Sequence, residues 1–441
     1  MIIGEAGIFL AMQAPLRFSI ADLEGKVVMA EDGTGKIDAE TLTISPKAGE
    51  PRSYSLRDII SIAESDYRIR VALAGGDELL LFNLGYKYED FARNLVQTNN
   101  ELSLHDLLME ERLRRPGVRT DFALLDPKGE EGSKGKCEVR LYETALVIMP
   151  ERSDLIRIPY SELLTCAVDS YKVVALLESG GKVEFSRLGR EADPLQREIA
   201  GSIAELSVRV QNLLKDVFPE ADPNAILKAS RFMKEGRAAK WSDLESACPG
   251  LWSKLERKIG GLGMAEEYAS LSSRSKRERI RIGMKRTLAA GVEEDYVWFL
   301  APIYSEDASK GGNAIAFEAT SSEESGRATY FFRMMSRKDY SQTRDNPKLD
   351  DIADAASAET AKSLLAINFR REPIFLPSEK LYAPEYAHYR HSIARLPELR
   401  LLRDRFIGRV VHSSIEQWKL DVEDLLKFNV DQEGDAPVWK K

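Results

Sequence analysis

Across residues 16–84 the apolar positions come in short runs, and after that they switch to a helical spacing. Runs at 16–22, 25–30, 41–45, 53–62, 67–74 and 77–84 are rich in β-branched and large apolar residues. Gly, Asp and Pro separate them, which predicts a succession of short strands. Gly75-Gly76-Asp77 marks a hairpin, because its turn needs the positive φ that glycine adopts without a steric cost. Beyond Leu84-Gly85 the period lengthens, and Phe91, Leu95 and Leu102 share one side of a helix. The pattern then recurs 104 residues later without a gap. Phe18 falls on Phe122, Asp22 on Asp126, Gly25 on Gly129, Pro46 on Pro150, Tyr67 on Tyr171, and Leu84-Gly85 on Leu188-Gly189. Ser179-Gly180-Gly181 stands at the hairpin, and Leu195 and Ile199 take the places of Phe91 and Leu95. The first half of the chain is a duplicated domain.

The second half reads differently. Asp222-Pro223-Asn224 predicts a helix entry, with Ile226, Leu227 and Phe232 following, and a second helix is expected over 242–259, stopped by Gly260-Gly261. Ile280, Ile282 and Met284 alternate with basic residues, and 296–304, 313–320 and 328–335 are further strand-like runs, which together suggest an antiparallel meander. A polar break at 341–348 precedes a helix near 350–367. The segment 371–384 carries three prolines and reads as extended. One long or two joined helices are expected over 396–426, from the spacing of Leu401, Leu402, Phe406, Val410, Ile415, Trp418, Val422 and Leu425. The expected division is 1–112 and 113–218 for the two copies, 219–276 for a helical linker and 277–441 for an α+β domain.

With 441 residues, 43% of them hydrophobic and 30% charged, the composition is that of an ordinary globular protein with room for about three cores. The net charge of -8 is uneven. Residues 1–200 hold 25 Lys and Arg against 34 Asp and Glu, whereas 201–441 hold 38 against 37. An acidic half argues against broad contact with phosphate backbone or anionic lipid, both of which need a positive field. Cys137, Cys166 and Cys248 are too few and too scattered for a disulfide framework or a zinc site. The apolar stretch 1–14 lacks the basic start of a secretory signal, and no run reaches membrane-spanning length, so a cytoplasmic location is expected.

An antiparallel run of six or seven strands closed by one helix, present twice, resembles the pleckstrin-homology-like superfamily, including its GRAM-type members, over 14–110 and 118–214. The resemblance implies an α+β fold class: two tandem antiparallel barrels, each closed by a C-terminal helix, then a helical linker and an α+β C-terminal domain. It also implies that peptides dock at sheet edges or in the groove beside the closing helix. Lipid-binding members carry basic residues in the loop between the first two strands. Here the first loop, Asp22-Leu23-Glu24-Gly25-Lys26, is acidic, and the second sets Lys128, Lys134 and Lys136 among Glu130 and Glu131. Phosphoinositide binding is disfavoured in the first copy and left open in the second.

The sharpest charge feature is 274–286, with Arg274, Lys276, Arg277, Arg279, Arg281, Lys285 and Arg286. As a strand it would project Arg279, Arg281 and Lys285 from one face and bury Ile280, Ile282 and Met284. Such a row could meet phosphate oxygens or an acidic surface, although charge runs are usually solvated or paired within the molecule. Gly33-Thr34-Gly35-Lys36 lacks the upstream glycine and the Ser or Thr of a phosphate loop and reads as a turn between strands. His388 and His391, with Glu385 nearby, have neither the spacing nor the glutamate of a His-Glu-x-x-His site, and Tyr382, Tyr386 and Tyr389 make a packed aromatic patch the better reading. No nucleophile motif and no cofactor motif is present.

These features favour a non-enzymatic interaction or scaffold protein that binds a protein partner through 14–214. The rivals are nucleic-acid binding through 274–286 together with Arg395, Arg400, Arg403, Arg405 and Arg409, peripheral binding to anionic lipid, and an enzyme whose site is assembled from distant residues. The sequence leaves a homo-oligomer open.

Overall fold

A computed structural model describes residues 11–108, 111–289, 292–307, 310–320, 327–343 and 348–431. Most of the apolar N-terminal stretch and part of the polar break at 341–348 lie outside them. Two compact units are present: Met1–Ile203 with Leu381–Arg395, and Ala204–Lys380 with Leu396–Lys441.

Copy one runs β1 (Met12–Ala21), β2 (Val27–Ile37), β3 (Thr41–Pro46), β4 (Arg52–Ser55), β5 (Ile59–Ser65), β6 (Arg68–Leu73), β7 (Glu78–Phe82) and α1 (Tyr88–Leu108). Its seven strands form one antiparallel sheet in the order β4-β3-β2-β1-β7-β6-β5. Alternate residues Leu16, Phe18 and Ile20 of β1 and Ile69, Val71 and Leu73 of β6 face inward, where Tyr88, Phe91, Ala92 and Leu95 of α1 complete the core. Glu89 and Asp90 in the first turn of α1 favour the positive end of the helix dipole.

Copy two repeats this as β8 (Leu113–Leu125), β9 (Glu131–Tyr142), β10 (Ala145–Pro150), β11 (Ile156–Pro159), β12 (Leu163–Asp169), β13 (Lys172–Leu177), β14 (Lys182–Ser186) and α2 (Ala192–Val217), in the same strand order. From β3 to the start of α1 every boundary recurs after 104 residues. The register shift after Ile59 recurs after Leu163, and the left-handed pairs Asp66-Tyr67 and Ser170-Tyr171 match. The duplication is therefore one of structure as well as sequence.

The two strand edges β4 and β5 are joined by the 3-10 turn Leu56–Asp58, where the sequence pattern predicts one unbroken strand over 53–62. Gly33-Thr34-Gly35-Lys36, expected as a turn, lies inside β2. The glycines serve close packing: a Cβ on Gly35 would sit 2.6 Å from Leu16 and 3.0 Å from the Phe91 ring, and one on Gly33 only 2.3 Å from the Ser45 carbonyl oxygen.

The second unit takes the latter part of α2 and adds α3 (Pro223–Ser230), β15 (Ala239–Lys240), α4 (Trp241–Ala247), α5 (Leu251–Ile259) and α6 (Ala265–Ser273). The single helix expected over 242–259 is divided at Cys248-Pro249-Gly250, where proline lacks the amide a helix needs and Gly250 takes φ 86°. Gly260-Gly261 does not stop the chain. A wide turn, Gly260–Met264, carries it into α6, with the reversal made by Gly263.

The meander is β16 (Arg281–Ala289), β17 (Val292–Ile303), β18 (Ala314–Ala319) and β19 (Ala328–Arg333). After α7 (Arg337–Thr343), α8 (Leu349–Ala366), α9 (Glu372–Phe375), α10 (Ala387–Arg395, in the first unit) and α11 (Pro397–Arg405) come β20 (Phe406–Val411) and α12 (Ile415–Asp431). Among the described residues the sheet order is sequential, β15 to β20, so its first long strand does not return to pair with its last as in the two copies.

Two expectations for this region give way. The helix over 396–426 is interrupted by β20, whose Val410 and Ile407 fill the sheet core beside Trp418 and Val422 of α12. The segment 371–384, expected to be extended, holds α9 and the 3-10 turn Lys380–Tyr382.

Candidate binding groove in the first unit

The polar second half of α1 is buried because two partners cover it. Thr98, Asn99, Asn100, Ser103 and Asp106 are all buried. Copy two supplies one partner. Asn100 donates to the carbonyls of Pro150 and Ser153 and accepts from the Leu155 amide at 3.1 Å, while Glu101 takes a two-pronged ion pair from Arg140 of β9. Leu104 packs with Tyr142, Val147 and Met149.

The other partner is α10, which lies against α1 and the 3-10 turn at the open corner between β4 and β5. His391 is fully buried. Its Nδ1 is 3.0 Å from the Arg57 carbonyl and its Nε2 2.9 Å from Ser103 Oγ. A carbonyl only accepts, so Nδ1 carries the proton, and the neutral ring accepts the Ser103 hydroxyl at Nε2. Burial holds the His391 pKa below the ordinary value, and the cations of Arg395 and Arg57 add to this against the Arg57 carbonyl and Asp106. Arg57 is itself fixed by Asp106, through Nε at 2.9 Å and Nη2 at 3.3 Å. Burial raises the Asp106 carboxyl, but hydrogen bonds from Arg57 and His105 outweigh it and leave the pKa lowered.

Two arginines flank the imidazole. Arg390 donates to Asp58 at 2.7 Å and to the Leu381 carbonyl at 3.1 Å. Arg395 donates to the Ile59 carbonyl at 3.1 Å and to Asn99 at 3.4 Å, and it pairs with Asp154 of copy two at 2.6 Å. Apart from the Ser103 hydroxyl, which donates to the imidazole, the groove is thus an array of acceptors that receives a donor-rich helix.

The sequence treats His388 and His391 as one aromatic patch. The structure divides them: His388 stays with the Tyr389 ring at 4.0 Å, and Tyr389 stacks on Tyr386, whereas His391 becomes the centre of a hydrogen-bonded socket. Among the described residues no group of His, Cys, Asp or Glu has metal-binding geometry. The socket could have been found by comparing the copies where they disagree, since Arg57, Asn99 and Asp106 stand where copy two has Ser161, Ile203 and Val210.

The basic segment 274–286 falls in the second unit, and the structure engages each of its seven residues internally. Arg274 bonds Ser270 and Lys276 pairs with Asp350. Arg277 pairs with Glu256, and Arg279 with Asp354 and Asp350. Arg281 bonds the Asp354 carbonyl. Lys285 bonds Asn368 and lies 4.7 Å from the Phe369 ring, and Arg286 pairs with Asp295 and Asp216. Ile280, Ile282 and Met284 are fully buried, as the alternation predicts. The arginines read as one helix in the nucleic-acid rival fall on α10, α11 and β20. Arg403 donates to the carbonyls of Pro373, Ile374 and Leu376, Arg405 pairs with Glu359, and Arg409 covers the Phe375 ring.

The two loops between first and second strands are built alike. Asp22 accepts the amides of Glu24 and Lys26, and Asp126 those of Lys128 and Glu130. Among the described residues no helix is long and apolar enough to cross a membrane.

No family model matches the chain, and no curated protein matches it. Among solved structures it is similar to the Spt16D Pob3N heterodimer, at 16% identity over 38% of this chain and 83% of that one, with a TM-score of 0.16. With so low a score the likeness bears on neither fold nor partner.

Proposed function

We propose that the protein is a non-enzymatic scaffold that binds a protein partner through the tandem barrel-like domains of its first unit, and that these domains are pleckstrin-homology-like. The superfamily reading is supported by the strand order, in which β1 pairs with both β2 and β7, and by the helix that fills the first sheet, whose counterparts Leu195 and Ile199 on α2 are fully buried. The binding reading is carried by α10, a short helix seated by side-chain hydrogen bonds in the groove beside α1, which is the way a peptide-accepting surface is used. Lipid headgroups fit less well. The loops that would cradle phosphate already spend two amides each on Asp22 and Asp126, and Lys276, Arg277, Arg279 and Arg286 of the basic segment pair with carboxylates of their own unit. Affinity capture with the full-length chain, followed by cross-linking mass spectrometry, tests the proposal. Cross-links within 14–214 support it, and cross-links confined to 280–380 and 396–441 overturn it.

A further inference from the structure

The contact between α10 and copy one is polar to an unusual degree. Among Ala387–Arg395 the buried residues are His391 and Ser392, and the hold depends on Arg390, His391 and Arg395 rather than on apolar area. Interfaces that resist exchange generally centre on buried aromatic or aliphatic anchors, and this one has none. The fit is also incomplete, since Nδ2 of the buried Asn99 and Nε of Arg395 have no hydrogen-bond partner among the described residues, and an unmet buried donor costs stability.

The groove is complementary to basic peptide. It offers the carboxylates of Asp58 and Asp154 and the carbonyls of Arg57 and Ile59, with Ser103 set to meet an imidazole. Pro384 before α10 and Pro397 after it both interrupt helical continuation, so the segment can leave its seat without unwinding a longer helix.

We infer that α10 is a detachable internal ligand, and that the copy-one groove is a receptor for a partner's short basic helix of the pattern Arg-His-x-x-x-Arg, which replaces it. The inference rests on the proposed protein-binding role and names the chemistry recognised. Copy two has no equivalent receptor, because Ser161, Ile203 and Val210 stand in place of Arg57, Asn99 and Asp106.

The probe is a fluorescent peptide of residues 381–395, titrated into the full-length protein and read by anisotropy. Arg390→Ala with Arg395→Ala should free the groove and tighten peptide binding at least tenfold over the unsubstituted chain. Adding Asp58→Asn and Ser103→Ala should abolish the gain. A folded double variant, with its thermal transition retained, that takes up no peptide would overturn the inference, as would uptake that ignores Asp58→Asn and Ser103→Ala. Should the double variant not fold, hydrogen exchange on the unsubstituted chain decides: saturating peptide must speed exchange across 387–395, and unchanged rates sink the idea. If peptide uptake is absent while a partner still cross-links to 14–214, the exchange mechanism fails and the scaffold reading stands.

Discussion

His412 Nε2 lies 3.0 Å from Glu318 Oε2, a carboxylate with no solvent exposure near the end of β18. Thr329 donates to the same oxygen, and Trp418 Nε1 donates to the Thr329 hydroxyl at 3.1 Å. Burial pulls the His412 pKa down, but the hydrogen bond and charge of Glu318, with Glu267 beyond, outweigh it and leave the pKa raised above 6.5. A raised folded value means that the pair's stabilisation is fully present below pH 6.5 and is lost as pH climbs through the folded value. Thermal melts of the second unit should therefore fall between neutral and alkaline pH, and His412→Gln should flatten that slope. An unchanged slope in the variant would show that another group is responsible.

His391 has the opposite sign. Its folded pKa is depressed, so protonation favours the unfolded chain, and the α10 contact weakens as pH drops below 6.5. The groups facing it are Arg57, Asp106 and Arg395. Hydrogen exchange at 387–395 should accelerate from pH 7 to pH 5.5, once corrected for the intrinsic rate, and His391→Asn should remove the dependence.

Asn100→Ala would strip the Pro150 and Ser153 carbonyls and the Leu155 amide of their partner. Of these bonds the one to Pro150 is buried and the other two are partly exposed, and an orphaned buried backbone group costs ~1–3 kcal/mol, so the first unit should lose about that range in urea denaturation. A loss below ~0.5 kcal/mol would mean that solvent replaces the amide.

Gly33→Ala sets a methyl 2.3 Å from the Ser45 carbonyl oxygen, a backbone atom that cannot swing aside. Overpacking of this kind costs about 1–3 kcal/mol. Gly201→Ala, on α2 with open space around it, is the matched control and should be neutral or mildly stabilising in the same melt.

Burial pushes the thiols of Cys137 and Cys166 up to about 12. The thiolate is the reactive form, so neither should be alkylated by iodoacetamide at pH 8 in the native protein, and both should react in denaturant. Rapid native labelling of Cys166 would show that β12 opens readily.

The duplication and the α+β class were legible because both depend on local pattern: strand-length apolar runs, hairpin glycines and a helical period that returns after 104 residues. What escaped depended on tertiary contact. The 3-10 turn at Leu56–Asp58 lies without punctuation between two strand-like runs, and it is there that the chain crosses from one sheet edge to the other. Phe406–Val411 continues a helical spacing yet pairs with β19, because that sheet edge must be satisfied. The groove was least visible. His391, Arg395 and Ser103 are ordinary polar residues until a hydrogen bond spans 288 positions. The polar run Thr98, Asn99 and Asn100 in the middle of an amphipathic helix was its one local trace.

That 288-residue span reaches into synthesis. At translation rates of about 5–20 residues per second, roughly 15–60 s separate the emergence of Ser103 from that of His391. Throughout that interval the corner of the first sheet is without α10, and its acceptors are left to water. The newborn chain therefore passes through a stage in which the socket awaits its own plug.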